Sequence, residues 1–289
     1  MKLGNRVKNS YNIDVIKDEI RYSARAGFDV LDFSFNKGQH LNLPHDELLF
    51  FFKELKDYAN KEEVYFEQTH NTYYSYEDHL NRYDEIIEEQ KNALFASWAL
   101  GCKYVVMHPL KPLFRYYEEE KEKTFKLNEE YFRHFIPLLE ELDLYICIEN
   151  IYLYDKGDFA PTTCSSAEEL KLYIDELGPR FYACMDTGHV HLVNRPGYEN
   201  ISFSNFAKVL GKDILTLHVH DCDKKKDLHY PPYMGNIDWE EFIQSLKDMK
   251  YEGALTLECG PFVSMFKDDK KQEAYDMLYL SAKRLRERI

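Results

Sequence analysis

The spacing of apolar runs along this 289-residue chain predicts an α/β fold, a parallel eight-stranded (β/α)8 TIM barrel with outer helices, formed as one domain over residues 1–289. Three observations carry that expectation. Seven short apolar runs, at 28–33, 63–69, 103–107, 144–148, 181–185, 214–219 and 254–257, begin between 33 and 41 residues apart. Each gap holds a stretch with helical periodicity, and strands alternating with helices imply a parallel sheet. No glycine-rich phosphate loop follows the first run, as a doubly wound open sheet would normally carry, whereas roughly 250 residues suit one closed barrel.

An eighth strand is needed at the N-terminus and falls on 1–7, which is short and weakly patterned. The clearest helix carries Tyr83, Ile86, Ile87, Gln90, Leu94 and Trp98 at three- and four-residue spacing and stops at Gly101. Ser165 or Ser166 caps the helix AEELKLYIDEL, and Asp238 caps WEEFIQSL. The loops 35–44, 111–125 and 152–163 are where specificity would reside; 152–163 is read as a plain surface loop, with a lid as the alternative.

A hydrophobic content of 44% supplies a sizeable core, and the net charge of -14 argues against nucleic acid and anionic membrane partners. Cys102, Cys147, Cys184 and Cys259 lie in or beside apolar runs, and the six cysteines form no CxxC pair, which suits buried thiols in a reducing compartment. The first residues lack an apolar signal core, and no run approaches the ~20 apolar residues of a membrane span. The expectation is a soluble cytoplasmic protein.

Chemistry gathers at the strand ends. VYFEQTH closes on His70, KYVVMHP on His108, LYICIEN on Glu149 and FYACMDTGH on Asp186, with His189 three residues on. ILTLHVHD carries His218, His220 and Asp221, ALTLEC carries Glu258, and the loop before GNIDW adds Asp227 and His229. Singly, each has a plainer reading as a hydrogen-bonded histidine, a turn-capping aspartate or a paired surface carboxylate. Six successive strands ending alike place them in one ring at the C-terminal mouth of a barrel, where active sites of this fold lie. Carboxylates and imidazoles converging there need a divalent cation. Mixed N and O donors without cysteine favour zinc or manganese, with cobalt, iron or magnesium as alternatives, and the donor count allows one to three ions.

Taken in order, THNTYY, VVMHP, CIEN, CMDTGHVH, LHVHD, KDLHY–GNIDW and LTLEC resemble the xylose isomerase-like barrels, over roughly residues 64–260. That family includes sugar-phosphate isomerases and epimerases, ketose 3-epimerases, inosose dehydratase-like proteins and endonuclease IV. The resemblance implies a one-metal core of Glu149, Asp186, His218 and Glu258, in which Glu149 and Glu258 bind the metal and also move the proton. It also implies a trinuclear set of the endonuclease IV type, which adds His70, His108, His189, Asp227 and His229. Matching HVHD to the family's His-x-x-Asp favours His218, while His220 stays open. Family members often form homo-oligomers.

Two chemistries follow from the resemblance. The first is isomerisation or epimerisation of a sugar or sugar phosphate through an enediolate, with His189, His70, His108 and Tyr73 on the substrate and Tyr74, Phe114 and Tyr230 as further wall candidates. The alternative is hydrolysis of a phosphodiester by a multinuclear cluster, with Tyr73 placed as a wedge. The acidic charge and the short, acid-flanked run Lys224–Lys226 weigh for the small-molecule reaction. A metal-binding scaffold without activity is the third reading.

Overall fold

The computed structural model describes residues 1–35, 40–112 and 117–289. Phe114 lies outside them, and the loops 35–44 and 111–125 fall partly outside. Eight parallel strands form the barrel: β1 (Leu3–Lys8), β2 (Val30–Ser34), β3 (Tyr65–His70), β4 (Tyr104–Met107), β5 (Tyr145–Glu149), β8 (Phe181–Asp186), β9 (Ile214–His218) and β10 (Leu255–Leu257). The hairpin of β6 (Leu153–Asp155) and β7 (Asp158–Ala160) lies in the loop after β5. Each barrel strand pairs with its neighbour in order, β10 pairs back onto β1, and a Val219–Leu257 bridge closes the ring. The weakly patterned N-terminal segment is therefore a full strand, held between β10 and β2.

Several strands start one or two residues later than the apolar runs, because helix ends and turns occupy the first positions. Gly27, at φ 105, ends the helix Ile13–Ala26 in the left-handed conformation that glycine adopts without strain, so Phe28 and Asp29 complete the turn before β2. The strands also reach further than those runs. His70, Glu149 and Asp186 are the last residues of β3, β5 and β8, so the sheet's own hydrogen bonding holds their backbones.

The apolar core fills the layer between barrel and helices. Phe33 of β2 meets Phe35, Phe52 and Phe66 edge-on at centroid separations of 5.1, 5.5 and 6.0 Å. Within the long helix Tyr76–Leu100, Ile86, Ile87, Gln90 and Leu94 are buried as the periodicity predicts; Trp98 is instead 42% exposed, with Lys53 over its ring. Ser166 caps Ala167–Leu177, Asp238 caps Trp239–Asp248, and Ser165 turns inward to the carbonyl of Ile151. All six cysteines are free and buried. Among the described residues no helix is long and apolar enough to cross a membrane.

The segment 152–163 is not the plain surface loop expected. Lys156 and Gly157, at φ 52 and 84, form a two-residue turn, and both positions have the left-handed geometry that tight hairpins require. Phe159 then packs on Leu192, Cys222 and Tyr152. Asp221 faces away from the mouth as well. Its buried carboxylate accepts from the backbone of Cys222 (2.9 Å) and Ile237 (3.2 Å) and from Trp239 Nε1 (3.0 Å), while its backbone pairs with Tyr230 at the base of the loop bearing Asp227 and His229. Removing it strands three buried donors, each costing roughly 1–3 kcal/mol. Asp221→Ala is expected to lower unfolding stability by about 3 kcal/mol in urea titration; a loss below about 1 kcal/mol would show that water replaces the carboxylate.

Candidate metal centre

The ligand-bearing strand ends meet at the C-terminal mouth of the barrel. Glu149, Asp186, His218 and Glu258 are all buried, and one ligand atom from each lies within 4.8 Å of those of the other three. Four further groups overlap this one: His70–His108–Glu149, His70–His218–Glu258, Asp186–His189–His220 and His220–His229–Glu258. The predicted ring is thus a connected set of donors, and His220 joins it beside His218.

Local structure aims each donor. His218 is fully buried, with Nε2 2.9 Å from Asp32 Oδ2 and Nδ1 3.0 Å from Glu149 Oε1 and 3.8 Å from Glu258 Oε2. Asp32, itself bonded by Gln68 at 2.8 Å, orients the imidazole from below so that Nδ1 faces the centre. His189 Nδ1–H donates to the Asn150 carbonyl at 2.8 Å, turning Nε2 toward Asp227, 3.7 Å away. His229 Nδ1–H donates to the Glu258 carbonyl at 2.7 Å, leaving Nε2 3.2 Å from Asp227. His108 Nε2 is 2.7 Å from Glu149 Oε2 and 3.0 Å from His70 Nε2.

Asp186 does two jobs. As the N-cap of the helix Thr187–Val193, its Oδ1 accepts from the His189 backbone at 2.7 Å. Both of its oxygens also face His220 Nε2, at 3.0 and 3.1 Å. The turn reading of this aspartate is correct and does not compete with the ligand reading. His220 stacks on His229 at 4.0 Å and lies so close to Gly188 that a Cβ there would overlap its ring, which accounts for the glycine in DTGH.

Burial raises the cost of every charge here, and neighbours decide the outcome. Glu149 and Glu258 are pushed up by burial, yet surrounding imidazoles hold both well below the ordinary carboxylate range: His218, His108 and His70 for the first, His218, His229 and His70 for the second. In return, and against burial, Asp186, Asp227 and Glu149 raise His189 to about 10. Asp227 with Glu258 and Asp186 raises His229 to about 9, and His218 is raised well above its usual value. His108 moves the other way, lowered by burial. Without a metal, protonated imidazoles compensate the buried carboxylates; a divalent cation held by the same atoms would do so with neutral ones. Asp227 Oδ1 and His220 Nδ1 are buried without a hydrogen-bond partner, as donors awaiting a further ligand are.

The centre opens into a cavity of about 280 Å³ lined by His70, Tyr73, His108, Lys111, Glu149, Tyr152, His189, Asp227, His229 and Glu258 among others. A second lobe of about 280 Å³ shares His70, Tyr73, His108 and Glu258 and adds Arg6 and Ser34. A larger cavity, about 590 Å³, sits between the first and last long helices; it mixes Lys8 and Lys271 with Asp18, Glu19 and Asp268 and contains none of the histidines. Of the aromatic candidates, Tyr73 lines the mouth, 5.4 Å edge-on from His108. Tyr74 is core, bonded to Glu89, and Tyr230 serves the loop base. Sequence reasoning missed Tyr152, whose hydroxyl donates to Asp227 at 3.0 Å, Asp32, and the two cations Arg6 and Lys111. Asp32 left a trace, a lone carboxylate inside VLDFSF. Arg6 Nε donates to Ser34 at 2.7 Å and lies 3.6 Å from Glu258.

Known proteins of similar sequence and shape agree with this architecture. An uncharacterized protein of Methanocaldococcus jannaschii is 26% identical over 176 residues, 60% of this chain and 56% of that protein. A Sinorhizobium fredii relative is matched over 52% of its length, so the chain spans about half the length of the curated relatives it matches. The crystal structure of a D-tagatose 3-epimerase-like protein superposes with a TM-score of 0.73 at 18% identity, covering 99% of both chains. A zinc-bound structure of the IOLI protein gives 0.69 at 17% identity, covering 99% of this chain and 96% of that one. The family model for xylose isomerase-like TIM barrels matches residues 20–279, nearly the whole barrel, and the chain belongs to that family.

Proposed function

We propose that this protein is a metal-dependent isomerase or epimerase of a sugar or sugar phosphate, with Glu149 and Glu258 as its proton-transfer pair. The observation that carries the reading is the placement of two buried carboxylates, from β5 and β10, on the wall of one cavity with His218 between them. Epimerases among proteins of similar shape support it. A cavity of about 280 Å³ is at the small end of ligand sites, roughly 300–1,000 Å³, and suits a single sugar unit.

Glu149, Asp186, His218 and Glu258 would hold the ion, zinc or manganese before cobalt, iron or magnesium. When bound, the ion supplies Lewis acidity, drawing electron density from a substrate carbonyl so that the neighbouring C–H becomes acidic. One glutamate takes that proton, leaving an enediolate. On the side of the other glutamate, a proton relayed from the protonated imidazoles around it, such as His229 beside Glu258, returns to the same carbon from the opposite face for epimerisation, or to the adjacent carbon for isomerisation as the hydroxyl proton passes between the two enediolate oxygens. Asp32 keeps the His218 ring in register. His189, His70, His108 and Tyr73 contact substrate oxygens and exclude water. The overlap of the donor groups, with His220 included, favours a second reading, a multinuclear phosphodiesterase that binds two or three ions through His70, His108, His189, Asp227 and His229.

Three measurements decide among these. Elemental analysis of protein purified without chelator should find one divalent ion per chain, and both Glu149→Gln and Asp186→Asn should lower it; no ion, and no change in the variants, removes the metal from the reading, while two or three ions favour the phosphodiesterase. In metal-free protein at pH 7.5 His218 carries a proton that a ligand must shed, so zinc titration should release about one proton or more per ion, and affinity should rise with pH. Titration calorimetry in buffers of different ionisation enthalpy checks this, and proton uptake contradicts it. Metal-loaded protein should exchange a ketose or ketose phosphate C–H with D2O, and Glu149→Gln or Glu258→Gln should slow exchange about 1,000-fold. Absence of exchange across a broad ketose panel, together with cleavage of an abasic-site duplex, selects the second reading.

A further inference from the structure

The cavity that holds the carboxylates also holds a lysine they leave unpaired. Lys111 follows β4, and its ammonium stands by two rings of the pocket wall, 5.3 Å from the Tyr73 centroid and 5.2 Å from that of Tyr152. One of its three N–H groups donates to the Tyr152 carbonyl at 2.9 Å. Among the described residues no carboxylate lies within 4.0 Å of the ammonium; Asp227 acts on it only at longer range and is itself bonded by Tyr152 and His229. Arg6 differs, since Ser34 and Glu258 already occupy it.

A half-buried ammonium with no carboxylate in contact is costly, and aromatic faces and the longer-range charge of Asp227 offset only part of that cost. A strut joining two loops could be built from any side chain able to reach the Tyr152 carbonyl and would not need a charged head that also lines the cavity. An oxygen anion entering the cavity would meet that head and regain the lost pairing as a charge-assisted hydrogen bond. The Tyr152 carbonyl and the two tyrosine rings already position the ammonium, so that this recognition costs little side-chain entropy.

We infer that Lys111 is the specificity determinant for an acidic group on the substrate, a phosphate or a carboxylate, so that the sugar turned over is anionic. As a statement about turnover this rests on the isomerase reading; as a statement about binding it does not.

The test therefore has a binding arm and a reaction arm. Sorbitol, sorbitol 6-phosphate and gluconate are titrated calorimetrically into the metal-loaded protein, into Lys111→Met, which keeps the apolar stem, and into Lys111→Arg, which keeps the charge. At least one anion should bind about tenfold or more tightly than sorbitol; which one identifies phosphate or carboxylate. The preference should collapse toward one in Lys111→Met and return in Lys111→Arg. Equal affinities for all three ligands, no binding of either anion, or a preference that survives Lys111→Met each overturns the inference. In the reaction arm, solvent deuterium exchange is compared for fructose, fructose 6-phosphate and fructuronate, and kcat/KM should favour the anion selected in the binding arm. A positive binding arm with no exchange on any ketose leaves the anion site standing and sinks the isomerase reading instead.

Discussion

His218 stands fully buried between Asp32 and Glu149, 2.9 and 3.0 Å from their carboxylates, and the layout of the mouth follows from that contact. An imidazole has two nitrogens, and committing one to Asp32 leaves the other as the only donor or acceptor for whatever lies above. Asp32 comes from β2 and His218 from β9, so the pair spans the barrel interior. The polar layer of Asp32, Gln68 and Thr256 beneath it occupies space that would otherwise be apolar core. Buried carboxylates without such partners would be strongly destabilising. This is why the donors form one connected set: each compensates its neighbour.

The same requirement shapes the loops. Asp227 and His229 come from a long connection after β9, and their places depend on Asp221 tying its base to the start of the next helix. The hairpin of β6 and β7 presents Tyr152 to Asp227 from the other side while burying Phe159 against Leu192 and Cys222. Gly188 leaves room for the His220 ring where any side chain would displace it. These supports lie outside the ring, yet they set where its donors point, and geometry at a metal site tolerates little error.

Acidic side chains gather at the mouth. Glu149, Asp227 and Glu258 line the cavity whose two lobes also carry the cations Arg6 and Lys111. Imidazole protonation compensates the carboxylates in the metal-free protein, at the expense of the lone pairs that chemistry needs. Metal binding, proton release and substrate recognition are therefore coupled through one set of side chains.

By itself the sequence determined the barrel, because strand and helix periodicities are local properties and their alternation leaves few topologies open. It also determined that His70, His108, Glu149, Asp186, His189, His218 and Glu258 gather at one mouth, because a parallel barrel brings the C-terminal ends of all its strands to one face; Asp227 and His229 ride on a loop whose place the fold sets. Tertiary structure alone decided what lies behind and beside that ring. Asp32 sits mid-strand in an apolar run, which marks it as unusual without naming its partner; Arg6, in the weakest strand, and Lys111, in a loop, carry no local pattern that separates them from ordinary surface residues. His220 stays open in the sequence because the family resemblance offers two patterns, His-x-x-Asp and His-x-His; in the structure β9 ends at His218 and His220 faces Asp186. Those assignments depend on contacts between residues 186 and 34 positions apart, Asp32 with His218 and Asp186 with His220, and such contacts exist only once the barrel has closed.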